Sequence, residues 1–142
     1  MSLYLDTSCL WKLLVSEPGS AETRTIVEAE PRVVVSSLSE LEVEVNLRAL
    51  LLGGGLRQRR HDGFIAKLVE LRDTPPLVHQ TVSLDLVRLA LEQARTSSGY
   101  CRTLDRLHLA AMEALGIQRL LTNDDQQAAA ARALGFGVVL PR

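Results

Sequence analysis

Only two cysteines, Cys9 and Cys101, occur in the 142 residues, and they lie far apart. With neither CxxC spacing nor the density of a small secreted scaffold, they form no disulfide framework and are expected as reduced core or surface thiols of a cytoplasmic protein. Aromatic residues make up 4% of the chain, which leaves no platform on which successive bases could stack. The formal net charge of −1 carries no global basic signature, so any contact with a polyanion has to come from a local patch. No run approaches the roughly 18 apolar residues of a membrane span, and Asp6 arrives too early for the apolar stretch of a signal peptide. The three histidines, His61, His79 and His108, lack the paired spacing that a histidine acid and base would need.

What is present is an ordinary globular composition, 46% hydrophobic and 23% charged. The length suits one domain over residues 1–142. Leu3 to Leu5 reads as a short strand closed by Asp6-Thr7-Ser8, three residues that can each cap the helix begun by Leu10, Trp11, Leu13 and Leu14. Pro18-Gly19-Ser20 breaks the chain before a polar-faced helix over Ala21 to Glu30. Val33-Val34-Val35, bounded by Pro31 and by Ser36-Ser37, has the β-branched density of a strand buried on both faces. A helical hairpin follows, Leu38 to Leu52 and about Leu56 to Leu71, with Gly53-Gly54-Gly55 between its arms. After the loop Asp73-Thr74-Pro75-Pro76 come a weak strand over Leu77 to Val82 and a helix over Ser83 to Arg95 with Leu84, Val87, Leu91 and Ala94 at helical spacing. Thr96-Ser97-Ser98-Gly99 reads as a loop, then Thr103 to Leu115 as a helix and Arg119 to Thr122 as a strand. Asn123-Asp124-Asp125 caps an alanine-rich helix to Leu134, and Val138 to Leu140 is the last strand. This alternation predicts a three-layer α/β/α sandwich around a mainly parallel central sheet. There is no internal repeat and no low-complexity linker.

In parallel sheets function collects beyond the carboxyl ends of the strands, and Asp6, Ser36-Ser37 and Asp124 fall there. Asp6 could be a plain helix cap, yet Thr7 and Ser8 could serve equally. Asp124 is similarly ambiguous, since Asn123 can cap and Asp125 can favour the first turn through the helix dipole. Asp105 shares a helix face with Leu109 and Met112, and a carboxylate pointed at a core is costly unless paired or bound to a cation. His108, one turn on, is either its partner or a structural residue. In the first arm of the hairpin, at about 100° per residue, Leu38, Leu41, Val45, Ala49 and Leu52 form the expected sheet-facing stripe, and Val43, Leu47, Leu50 and Leu51 a second one. Glu44 falls on the polar side and Glu40 near the second stripe; Glu42 borders the first stripe, with Asn46 one turn later. Glu42 is therefore assigned as the fourth acid, with Glu40 or Glu44 as substitutes. Clustered carboxylates raise one another's pKa unless a cation compensates, and hard oxygen ligands without a Cys or His set point to Mg²⁺ or Mn²⁺.

Leu3 through Ser8, Val35 through Glu42, Thr103-Leu104-Asp105-Arg106-Leu107-His108-Leu109-Ala110 and Leu121 through Asp124, kept in this order along nearly the whole chain, resemble the PIN-domain ribonucleases. Within them the resemblance is to the VapC-type toxins of toxin–antitoxin pairs; the Glu17-Pro18-Gly19-Ser20 turn and the Ala131 to Phe136 ending fit the same group. The resemblance implies a metal-dependent endoribonuclease for single-stranded or loop RNA, with Asp6, Glu42, Asp105 and Asp124 as its acidic positions. It implies in-line attack by a metal-activated water, leaving a 5′-phosphate and a 3′-hydroxyl. Thr7, Ser8 and Asn123 match flanking polar positions that could orient ligands or water, and Asp125 could assist or substitute for Asp124.

Arg57, Arg59, Arg60 and Lys67 on the second arm of the hairpin form either an RNA-backbone patch or a solvated helix face. The apolar excess of the hairpin suits packing within the domain, a homodimer or a cognate VapB-type antitoxin, and the resemblance favours the last two. A phosphoacceptor receiver domain would want an acidic pair after the first strand and a Lys after the last, and a haloacid-dehalogenase-type phosphatase an Asp where Ser8 stands. The alternatives inside the family are an inactive scaffold that binds RNA or a partner, and a housekeeping RNA-processing nuclease. A short overlapping upstream frame encoding a DNA-binding protein would favour the toxin.

Overall fold

The strand-forming segments are short, and every residue of the first two is buried, which is what a parallel sheet covered on both faces requires. In the computed structural model, which describes residues 1–97 and 99–142, β1 (Leu3–Leu5), β2 (Val33–Ser36), β3 (Leu77–Gln80), β4 (Arg119–Leu121) and β5 (Gly137–Val139) form one parallel sheet in the order β3-β2-β1-β4-β5. Ser98, within the loop expected over Thr96–Gly99, lies outside the described residues. Alternation along the strands separates two cores. Leu3, Leu5, Val33, Val35 and Leu121 point to one side, where α1 (Thr7–Leu14), α2 (Ser20–Glu28), α3 (Ser37–Leu52) and α4 (Gln58–Arg72) supply Leu10, Leu14, Val27, Val43, Leu47 and Leu68. Tyr4, Val34 and Leu120 point to the other, covered by α5 (Leu86–Thr96), α6 (Thr103–Leu115) and α7 (Asp125–Ala133) through Leu86, Ala90, Leu109, Met112, Ala130 and Ala131. This is the expected three-layer sandwich. Gly116, at φ 69°, ends α6 in the left-handed conformation that favours glycine and turns the chain into β4.

Both cysteines are buried and free. Burial, with the Asp6 charge adding to it, pushes the Cys9 thiol up to about 12, so it is a packing residue at neutral pH.

Two apolar stripes resolve differently from the sequence expectation. On α3 the stripe that meets the core is Val43 and Leu47, both fully buried, whereas Leu41, Val45 and Leu52 are 59%, 56% and 74% exposed. The two stripes are equally apolar, and packing against α1 and α4 selects the second. Val43→Ala is accordingly expected to cost about 2 kcal/mol, from the lost methyl transfer and the cavity left behind. Val45→Ala should stay within about 0.5 kcal/mol. Urea midpoints of the two variants check this; equal losses would restore the first stripe as the core face. The fifth helix likewise begins at Leu86, not Ser83, and leaves Leu84, Val87 and Leu91 largely exposed.

Candidate active site

The chain runs from β1 to β2 to β3 on one side of the sheet and then crosses to β4 on the other side of β1, so a crevice opens beyond the carboxyl ends of β1 and β4. Asp6 follows β1, and Thr122-Asn123-Asp124 follow β4. A cleft of about 340 Å³ opens there, lined by Asp6, Thr7, Ser8, Trp11, Lys12, Glu17, Glu42, Asn46, Arg102, Asp105, Asn123 and Asp124. The four acids selected from sequence thus share one cleft.

Asp6 occupies the N-cap position of α1, but its side chain caps nothing. Its Oδ2 accepts from Ser8 Oγ at 3.0 Å and Thr122 Oγ1 at 2.8 Å. Gln127, oriented with its amide nitrogen toward the carboxylate as two facing acceptors require, donates to Oδ2 at 2.8 Å and Oδ1 at 2.9 Å. Asp6 is 3% exposed, so a plain cap does not account for it. Asp124 does cap: its Oδ1 accepts from the backbone N–H groups of Gln126 at 2.9 Å and Gln127 at 3.2 Å. That leaves Oδ2 for Arg102 Nη2, at 2.8 Å.

Asp105 is 7% exposed and accepts from Arg102 Nε at 2.9 Å. Burial pushes its pKa up, Arg102 draws it down, and the charges of Asp6 and Asp124 push it up further, leaving it above the ordinary carboxylate range. His108, expected as its possible partner, is instead joined to Glu42 and Tyr4. For Glu42, burial pushes upward, but hydrogen bonds from His108 and Thr7 and the charges of His108 and Arg102 outweigh it, and the pKa lies below the ordinary range. Glu40 is held by Arg72 at 2.7 Å and His79 at 3.0 Å, outside the cleft.

Of the flanking residues, Thr7 donates to Glu42 Oε1 at 3.2 Å, and Ser8 ties Asp6 to the Asn123 backbone N–H at 3.1 Å. Asp125 does not join them; its side chain is 77% exposed and pairs with Arg142. Arg57, Arg59 and Arg60 come together around a hollow of about 540 Å³ with Gly55 and Leu56, and Arg60 lies 5.5 Å from the centroid of the Phe64 ring. Lys67 is not part of that group: its Nζ donates to Leu14 O at 2.9 Å, satisfying a carbonyl at the end of α1.

Sequence reasoning missed Arg102, which bridges two acids, Thr122 and Gln127, which hold Asp6, and the link of His108 to Glu42. It missed Trp11 and Lys12 as cleft walls; Lys12 is fixed by Glu17 at 3.0 Å and Pro18 O at 2.7 Å, beneath Gly19 at φ 92°. Helical spacing sets Lys12 four residues after Ser8, on the same face of α1.

The oxygen-rich donor set fits a hard divalent cation. Two of its carboxylates already share one positive group, the Arg102 guanidinium. Among the described residues no three His, Cys, Asp or Glu side chains stand as a finished ligand set.

The PIN domain family model matches residues 3–133. The chain belongs to the PIN-domain family. Ribonuclease VapC46 of Mycobacterium tuberculosis (strain ATCC 25618 / H37Rv) is 35% identical to this PIN-domain protein over 99% of the chain and 98% of its own length. Among solved structures, Mycobacterium tuberculosis VapC20, described as a Sarcin-Ricin loop cleaving toxin, superposes with a TM-score of 0.67 at 21% identity, covering 94% of this chain and 95% of that one. VapBC2 from Rickettsia felis, bound to a DNA fragment from its promoter, matches with a TM-score of 0.73 at 14% identity over 99% of this chain and 98% of that one. FitAcB from Neisseria gonorrhoeae gives 0.71 at 16% over 98% and 97%. These structural likenesses show the fold.

Proposed function

We propose that this PIN-domain protein is an endoribonuclease toxin of the VapC type, cleaving single-stranded or loop RNA such as tRNA or rRNA and restrained by a cognate antitoxin. The observation that carries the reading is the convergence of Asp6, Glu42, Asp105 and Asp124 on one cleft at the crossover of a parallel sheet. A relative 35% identical over almost its full length and named a ribonuclease supports it.

In this reading Asp6, Asp105 and Asp124, with Glu42, hold Mg²⁺ or Mn²⁺, which when bound supplies an acidified water and charge neutralisation at the phosphate. The chain's own residues position that chemistry. Ser8, Thr122 and Gln127 fix the Asp6 carboxylate and leave Oδ1 its less occupied oxygen. Gln126 and Gln127 fix Asp124 through the helix N-terminus. Arg102, whose side chain is 62% exposed, is a cation at the mouth of the cleft that can meet an incoming phosphate. Arg57, Arg59 and Arg60 extend the contact along the RNA backbone.

The apolar side chains that α3 and α5 leave exposed suit a homodimer and a VapB-type antitoxin. Among the described residues no helix is long and apolar enough to cross a membrane; we place the protein in the cytoplasm.

The test is incubation of purified protein with total RNA and with tRNA, in Mg²⁺ or Mn²⁺ and in EDTA. Discrete fragments bearing 5′-phosphates are expected with the cation and none in EDTA. Fragments that persist in EDTA, or that end in 2′,3′-cyclic phosphate, would sink the reading.

A further inference from the structure

His108 is 1% exposed, sits one turn beyond Asp105 on α6, and has no part in the chemistry described above. Its Nδ1 lies 2.8 Å from Tyr4 Oη, and its Nε2 meets Glu42 Oε1 and lies 3.2 Å from Thr7 Oγ1. Tyr4 Oη is 2.7 Å from Ser36 Oγ. Ser36 Oγ accepts from the Ser39 backbone N–H at 3.2 Å, and Ser39 Oγ donates to Leu5 O at 3.2 Å. A buried chain of single donors therefore runs from β2 through β1 to α6 and ends on a carboxylate of α3.

The ionised carboxylate of Glu42 only accepts, so the proton between it and His108 stands on Nε2. A ring bare at Nε2 would set its lone pair against a carboxylate oxygen and leave a buried acceptor pair uncompensated. On the far side of the ring Nδ1 is tied to Tyr4 Oη at 2.8 Å, and Tyr4 Oη in turn to Ser36 Oγ at 2.7 Å, which holds the imidazole in this orientation.

We propose that His108, held in orientation by Tyr4 and Ser36 with its Nε2–H on Glu42, is the positioning residue that fixes Glu42 in the cleft. Glu42 is a long side chain on a helix, and holding it costs rotamer freedom. His108 and Thr7 supply that restraint from two other elements, so the carboxylate is oriented before any ligand arrives. The proposal rests on the reading of Glu42 as part of the cation site.

The contact is tested without any activity. In ¹⁵N NMR of the metal-free protein, His108 should carry a proton on Nε2; an unprotonated Nε2 overturns the proposal. The positioning role is tested by titrating Mn²⁺ alone into variants. His108→Leu should weaken Mn²⁺ binding by about 10–100-fold. His108→Gln, whose amide nitrogen can stand near the place of Nε2, should recover most of that loss. Tyr4→Phe, which keeps the packing and removes one hydroxyl, should shift Nδ1 and weaken Mn²⁺ in the same direction, and it stands in should His108→Leu fail to fold. A weakened Glu42→Gln beside unchanged His108→Leu and Tyr4→Phe overturns the role of His108 alone. Mn²⁺ affinity unchanged in Glu42→Gln overturns the assignment of Glu42, and the positioning role with it.

Discussion

Asp6→Asn is expected to lower RNA cleavage by at least about 10³-fold, equivalent to about 4 kcal/mol of transition-state stabilisation, while the melting temperature moves little. The loss follows from position: Asp6 lies at the end of the central strand and lines the cleft together with the three other acids. The small stability effect follows from its partners. An asparagine carbonyl can still accept from Ser8 and Thr122 at the place of Oδ2. Its amide would then face Gln127, whose own amide can turn to present oxygen instead of nitrogen. Multiple-turnover cleavage and a thermal melt of the same preparation check both halves. A folded Asp6→Asn protein with wild-type turnover would remove Asp6 from the site.

Mn²⁺ at about one hundred times its Kd should stabilise the wild-type protein by about 2.7 kcal/mol, roughly 10 °C for a chain of this size, and EDTA should reverse it. Asp105→Asn should abolish the gain and, without metal at neutral pH, melt above wild type. The sign follows from the direction of the Asp105 shift. Burial first, then Asp6 and Asp124, raise its pKa in the folded state. The favourable contribution of such a group is fully present below the ordinary Asp pKa and is lost as pH rises through the raised value. At neutral pH the ionised carboxylate therefore weighs against folding, and the asparagine relieves it. The order of the two proteins should reverse on adding Mn²⁺, and the metal-free difference should close in acid. Melts with and without Mn²⁺ at two pH values decide it; equal Mn²⁺ shifts in both proteins would remove Asp105 from the cation site.

The alternation of strands and helices and the four acids of the cleft were legible because the signals are local: β-branched runs end in polar residues, Asp6 and Asp124 follow apolar strands, and the helical wheel sets Asp105 and Glu42 beside apolar faces. The face of α3 was not legible, since both its stripes are apolar and only the placement of α1 and α4 decides which is inward. Glu42 nevertheless lines the cleft, because it stands one turn after the buried Leu38 and Ser39 on the side where His108 and Thr7 receive it. The cap ambiguity divided: Asp124 caps its helix while also lining the cleft, and Asp6 does not cap. Arg102 escaped notice because its two partners lie 3 and 22 residues away in different elements. The role of His108 depends on Tyr4 and Glu42, 104 and 66 residues distant, which no periodicity relates to it.

The sheet order has a consequence for how the protein is made. Asp6 is synthesised 116 residues before its partner Thr122, which directly follows the strand that inserts beside β1. Contacts so distant in sequence close late and slowly. A nascent chain that has exposed its first hundred residues holds two of the four acids, Asp6 and Glu42, and lacks the wall that completes the cleft. The cleft is thus assembled last, after the residues of β1, β2 and β3 and the helices between them have been made.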